Sequence, residues 1–211
     1  MNWTKDKIYE DLKERIVLRD LAPGAPLQEK ELMLKYGIGR TPLREVFLEL
    51  KRARFVQMIP NRGTFVSSMD ISEIKSVMEM RIPLEMLAVK LAVERIQAQE
   101  IERLESILSN MEKLDSKDGD KYRELLLLES AFHNEIYEAT HNDLLNETLH
   151  QIQTITIRFW MYLTHGVEHI YPLIDDLREL LIAIKQHDSS SAMKIIENHI
   201  NRTHDVLKEN I

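Results

Sequence analysis

Residues 27–66, LQEKELMLKYGIGRTPLREVFLELKRARFVQMIPNRGTFV, constrain this chain most, because they spell a helix-turn-helix followed by a wing. Lys30–Tyr36 reads as a short helix with Leu32, Met33 and Tyr36 on one side. Gly37-Ile38-Gly39 then demands a tight turn, since glycine reaches positive φ without steric cost. Thr41 is expected to cap the next helix, and Pro42 suits its first turn, where a missing N–H costs nothing. That helix should run to about Arg52 and bury Leu43, Val46, Phe47 and Leu50. Phe55–Ile59 and Thr64–Val66 then predict two short strands around Pro60-Asn61-Arg62-Gly63, a turn with a basic tip. The exposed residues Arg40, Thr41 and Arg44 can reach phosphates and guanine edges in a major groove.

Charge is distributed to match. Residues 1–66 hold 13 Lys/Arg against 9 Asp/Glu, net +4, whereas the remainder holds 15 against 26, net −11. The overall −7 therefore hides a basic head on an acidic body. Phosphate contacts need cations at the contact surface, whatever the total. The absence of cysteine excludes a disulfide framework, a thiolate zinc site and a cysteine nucleophile. The opening MNWTKDKIYEDL lacks a signal-peptide core, and no apolar run approaches the ~20 residues of a membrane span. A cytoplasmic protein is expected.

The predicted fold class is mainly α, with the winged helix-turn-helix over residues 1–68 and an all-α antiparallel helical bundle over 69–211. A first helix, Thr4–Arg19, buries Ile8, Leu12, Ile16 and Val17, and Leu21–Pro26 ends it through proline and glycine. Ser67–Asp70 is a polar junction. Asp70-Ile-Ser-Glu73 is a capping box opening a helix to about Arg95, with a kink or break expected at Pro83. Further helices are predicted near Glu100–Leu114, Lys121–Thr140, Asp143–Leu163, Pro172–Gln186 and Ser190–Lys208. A loop at Asp115–Asp120 ends in a possible Asp120 cap, and Thr164–Gly166 breaks the chain again.

Within the body, Glu129 and His133 stand i, i+4 on one helix face, about 5–6 Å apart, a spacing able to clamp a divalent ion. His199 lies amid an apolar face formed with Ile195, Ile196 and Ile200. Arg81 sits among Val77, Leu84 and Leu87, and a buried guanidinium needs an anion. Glu85, Glu129 or an effector carboxylate would serve. Arg158, among Ile152, Ile155, Ile157 and Trp160, is a second candidate of that kind. His165 and His169 flank a break and are expected to be exposed, and the ten methionines read as core filler.

The chain resembles the GntR transcription regulators, in their FadR-like branch with an all-helical FCD ligand-sensing domain. In the head the resemblance rests on Leu27–Leu32, Gly37–Glu45 and Asn61–Val66; in the body it rests on Glu79–Glu85, Phe132-His133, Asn142 and His199. It implies a homodimer that binds a pseudo-palindromic double-stranded DNA operator and changes affinity when a small carboxylate occupies the bundle. It places Lys30, Arg40, Thr41, Arg44, Arg62 and Gly63 at the DNA. Metal-binding members of this branch use one aspartate and three histidines, and the matching positions here read Glu129, His133, Leu177 and His199. Leu177 cannot coordinate a metal. Three ligands with waters could still hold zinc, manganese or nickel, or a metal-free cavity could bind the effector directly through Arg81, Glu129, His133, Arg158 and His199. The competing readings are a metal-dependent helical-bundle enzyme and a constitutive dimeric DNA binder without an effector.

Overall fold

Thr4 begins the first helix by accepting the Lys7 N–H on its hydroxyl, which satisfies one of the donors that an open helix end leaves free. In the computed structural model, which describes residues 3–114, 121–164 and 170–210, helix α1 then spans Lys5–Val17 and buries Ile8, Leu12, Ile16 and Val17. Helix α2 is Glu29–Tyr36 and helix α3 is Arg40–Arg52. Leu43, Val46, Phe47 and Leu50 recur at helical spacing on α3 and are all fully buried against α1 and α2. Between the two helices Gly37 adopts φ +64° and its N–H returns to the Met33 carbonyl, a left-handed cap that a side chain would strain.

Three strands follow from the wing rather than two. Strands β2 (Val56–Ile59) and β3 (Gly63–Val66) pair antiparallel, with Ile59 opposite Gly63. Asn61 at φ +60° and Gly63 at φ +109° make the intervening turn. The third strand, β1 (Pro26–Leu27), pairs with the other edge of β3, giving the order β1-β3-β2. Two residues containing a proline carry no strand signal, but proline is tolerated on an edge because its missing N–H faces away from the ladder.

Contacts divide the chain into two units, Met1–Asp70 and Ile71–Ile211, two residues beyond the boundary expected from the polar junction. The second unit contains α4 (Ile71–Arg95), α5 (Ala98–Lys113), α6 (Lys121–Glu138), α7 (Asp143–Leu163), α8 (Tyr171–Lys185) and α9 (Ser189–Glu209). The expected break at Pro83 is absent: α4 runs through it. Pro83 and Glu79 are both exposed, so the carbonyl that loses its donor can turn to water, while α9, α7 and α6 hold the helix on its other sides. Helix ends are set locally. Gln97 and Glu100 form a capping box on α5, and Asn142 and Asp188 cap α7 and α9. Ala88, Tyr137, Leu145 and Leu149 make a core cluster against which Leu84 and Leu91 pack. The loop at 115–120, the Asp120 cap, Gly166, His165 and His169 fall outside the described residues.

Candidate DNA surface and buried polar centre

Helix α3 starts at Arg40, so Thr41 is its second residue and not its cap. The cap position is Gly39, which has no side chain to offer. The N–H groups of Arg40 and Thr41 are therefore left for an external acceptor, with Pro42 contributing none. Thr41 and Arg44 are exposed on this helix, Lys30 is exposed on α2, and Arg62 and Gly63 are exposed at the wing turn. Arg40 is also exposed, but its Nε donates to Glu29 Oε2 at 2.9 Å. Beneath this surface Tyr36 donates to Asp11 at 2.5 Å, and Lys35 pairs with the same carboxylate at 2.9 Å. Burial works to raise the Asp11 pKa, but the Tyr36 and Lys35 bonds outweigh it and hold it below the usual range. That network ties α1 to α2.

In the second unit a cluster of charged groups turns inward. Glu129 and His133 on α6 meet His199 on α9 with Glu129 Oε1 3.1 Å from His133 Nε2, the two histidine Nε2 atoms 3.1 Å apart, and His199 Nε2 3.4 Å from Glu129 Oε1. These three are buried and form the cluster of metal-ligand type among the described residues. Ligands about 2.0–2.1 Å from a tetrahedral ion stand roughly 3.3 Å from one another, so the triangle has the size such an ion requires. The far side of the His133 imidazole supports the same conclusion. His133 Nδ1 lies 3.2 Å from Glu85 Oε2, and His199 Nδ1 lies 3.5 Å from Asp176 Oδ2. Glu85 orients the His133 ring and leaves its Nε2 for the common point, whereas His199 Nδ1 and Asp176 Oδ2, though near each other, make no hydrogen bond among the described residues. The donor set fits a divalent ion. Leu177, which the family resemblance sets at a fourth ligand position, is fully buried and carries no polar side-chain atom.

Glu85 is the hub of this centre. It accepts from Arg81 Nε at 3.0 Å and from the Tyr137 hydroxyl at 2.5 Å, besides facing His133. Arg81 is 1% exposed and its Nη2 has no hydrogen-bond partner among the described residues. Burial favours the neutral form of Glu85, yet His133 and Arg81 overcome it and pull its pKa down to about 2. Burial likewise disfavours charge on His133, but Glu85 and Glu129 raise its pKa to about 9. Glu129 is held well below the carboxylate range because His133 and His199 outweigh its desolvation. Arg158, buried on α7, is lowered by burial against the opposing charge of Glu73.

Residues 4–66 match the family described as bacterial regulatory proteins, gntR family, and residues 76–202 match the FCD domain. The chain belongs to the GntR family. It is 27% identical to the HTH-type transcriptional regulator McbR of Escherichia coli K12 over 191 residues, spanning 86% of this chain and 82% of that one. It is 23% identical to the HTH-type transcriptional repressor RspR of the same strain over 207 residues, 96% of this chain and 88% of the other. The solved structure of E. coli McbR superposes with a TM-score of 0.86 at 23% identity, covering 99% of both chains, which shows the shared fold.

This GntR regulator thus carries a DNA-binding head and an effector domain, and its relatives are regulators, which removes the enzyme reading. The fold brings Arg81, Glu129, His133 and His199 to one centre, with Arg158 tied instead to the Glu73 charge. Tyr137 and Asp176 are not among the residues the sequence singles out, and Glu85 enters there only as a partner for Arg81. Tyr137 had a signal, because Glu129, His133 and Tyr137 share one face at i, i+4, i+8. Asp176 had none.

Proposed function

We propose that this chain is a ligand-responsive regulator that binds a pseudo-palindromic DNA operator as a homodimer, with its affinity set by a small carboxylate in the helical domain. At the DNA, Arg44 and Arg40 would read guanine edges, Thr41 with the free N–H groups of α3 would hold a phosphate, Lys30 would anchor another, and Arg62 beside Gly63 would enter the minor groove. In the body, Glu129, His133 and His199 would hold zinc, manganese or nickel. Such an ion supplies a Lewis-acidic position for an anionic ligand. Arg81, anchored through Nε on Glu85, keeps its Nη2 for the effector carboxylate. That unpartnered donor, buried beside a metal-sized triangle, is the observation that carries the sensing reading.

An exposed apolar strip on α4 supports the homodimer. Met80 and Leu87 are 51% and 42% exposed and align with Pro83 at i, i+3, i+7. Sedimentation of the Met80→Glu/Leu87→Glu variant should give half the wild-type mass. A cytoplasmic location agrees with DNA binding and with the finding that no helix among the described residues is long and apolar enough to cross a membrane.

Native mass spectrometry with elemental analysis, on protein purified from its own host, tests the sensing centre. A retained divalent ion or small acid, lost on Arg81→Ala or His199→Ala, is the expected result. A metal-free and acid-free chain, whose DNA affinity no carboxylate alters, would leave the constitutive binder as the better account.

A further inference from the structure

Among the candidate DNA cations Lys30, Arg40, Arg44 and Arg62, Arg40 is the one that meets an acid in the described residues. The acid is Glu29, the first residue of α2, and Arg40 is the first residue of α3. An arginine at a helix N-terminus is electrostatically misplaced, because that end of the helix carries the positive pole. A carboxylate at the N-terminus of α2 is favoured on the same ground. Pairing the two offsets the repulsion at Arg40 and brings the starts of both helices together. The bond uses Nε, at 2.9 Å, while the arginine side chain remains 67% exposed and the glutamate 26%.

We propose that Glu29 is a specificity-determining positioning residue: it grips Arg40 by Nε, so that the terminal Nη pair is the fork offered to DNA. Guanine is recognised by two donors presented together to its O6 and N7. A long side chain free in solvent would spread that fork over many rotamers and pair readily with any phosphate. Anchored at Nε, it has less rotational freedom to lose, and the nearby carboxylate repels phosphate oxygens more than the edge of a neutral base. Glu29 therefore biases Arg40 from phosphates towards a base edge. The inference rests on the head being a sequence-specific DNA binder.

The test begins with the full-length wild type enriching duplexes from a random-sequence library. Its affinity for an enriched duplex is then compared with that for a scrambled duplex of equal length and composition. Glu29→Ala should cut the ratio of the two affinities about tenfold, mainly through the enriched duplex, the scale of one good bidentate contact. Glu29→Gln keeps an oxygen that can accept from Nε, and should stay within about threefold of wild type. In an Arg40→Ala background, Glu29→Ala should leave the ratio unchanged, an absence of effect that a purely structural role for Glu29 would not give. The proposal is overturned if Gln and Ala behave alike, if both duplexes tighten by one factor, or if the loss persists without Arg40. A wild type that enriches no sequence would instead sink the reading of the head itself, and the proposal with it.

Discussion

The two halves of this chain place charge in opposite ways. In the head, Arg40, Arg44, Lys30 and Arg62 stand on the surface above an apolar core, and in the one pair that involves them among the described residues, Arg40 with Glu29, the arginine stays exposed. In the body, Arg81, Glu85, His133 and His199 are at 0–1% exposure in the core itself. A surface cation costs the fold little and is available for a large polyanion. A buried charge is costly unless paired, so its site can serve only something small enough to enter. The contrast teaches that the head can lose a functional arginine and still fold, whereas the body's site and its stability are one object.

The sharpest way to break that contrast is Glu85→Ala. It strips Arg81, Tyr137 and His133 of their shared acceptor and should destabilise the second unit by about 3–5 kcal/mol, the usual cost of leaving a buried charge unpaired. Chemical denaturation monitored by far-UV circular dichroism would read it. A change under about 1 kcal/mol would mean that the centre is well hydrated and that the two halves do not differ as described.

Metal binding gives the next largest effect. Zinc at a hundred times its dissociation constant should stabilise the body by about 2.7 kcal/mol, seen as a rise in the melting midpoint that a chelator reverses. His199→Ala should abolish the rise. Leu177→His should lower the melting midpoint of the metal-free protein, because it puts an imidazole into a fully buried apolar position, yet enlarge the shift that zinc produces. An unaltered shift would show that position 177 does not border the three ligands.

How much of this was legible in the sequence follows the same division. The head's candidate site lies within residues 29–63 and is written in local signals, namely turn glycines, a proline near a helix start and arginines at fixed offsets. Even there the cap expected at Thr41 lies two residues earlier, since capping propensity does not reveal that Gly39 already occupies that position. The strand at Pro26–Leu27 exists only through its partner β3, a tertiary fact. The body's centre is assembled from α4, α6, α8 and α9. Its i, i+4 pair, Glu129 and His133, could be seen, as could His199 on its apolar face. The carboxylates behind the two imidazoles could not, because Glu85 and Asp176 reach them across helix packing that no spacing rule encodes.

Arg44→Ala sharpens the comparison from the other side. It should leave the folding stability within about 0.5 kcal/mol of wild type, as expected for an exposed residue without a partner among the described residues. It should nevertheless lose about 1–3 kcal/mol of discrimination between an enriched and a scrambled duplex in a gel-shift titration. Unchanged discrimination would remove Arg44 from the contact surface.

The smallest effect belongs to Arg62 at the wing turn. Arg62→Ala should weaken enriched and scrambled duplexes by nearly the same factor, because minor-groove and phosphate contacts carry less sequence information than the major groove. Its signature is therefore in the salt dependence. The slope of log affinity against log salt should become shallower by about one, the release of one counterion, while the Arg44→Ala slope should move less. Fluorescence anisotropy across a salt series separates the two arginines cleanly. Equal slopes for both variants would mean that wing and recognition helix meet DNA in the same manner, and that the head has one kind of DNA-facing cation.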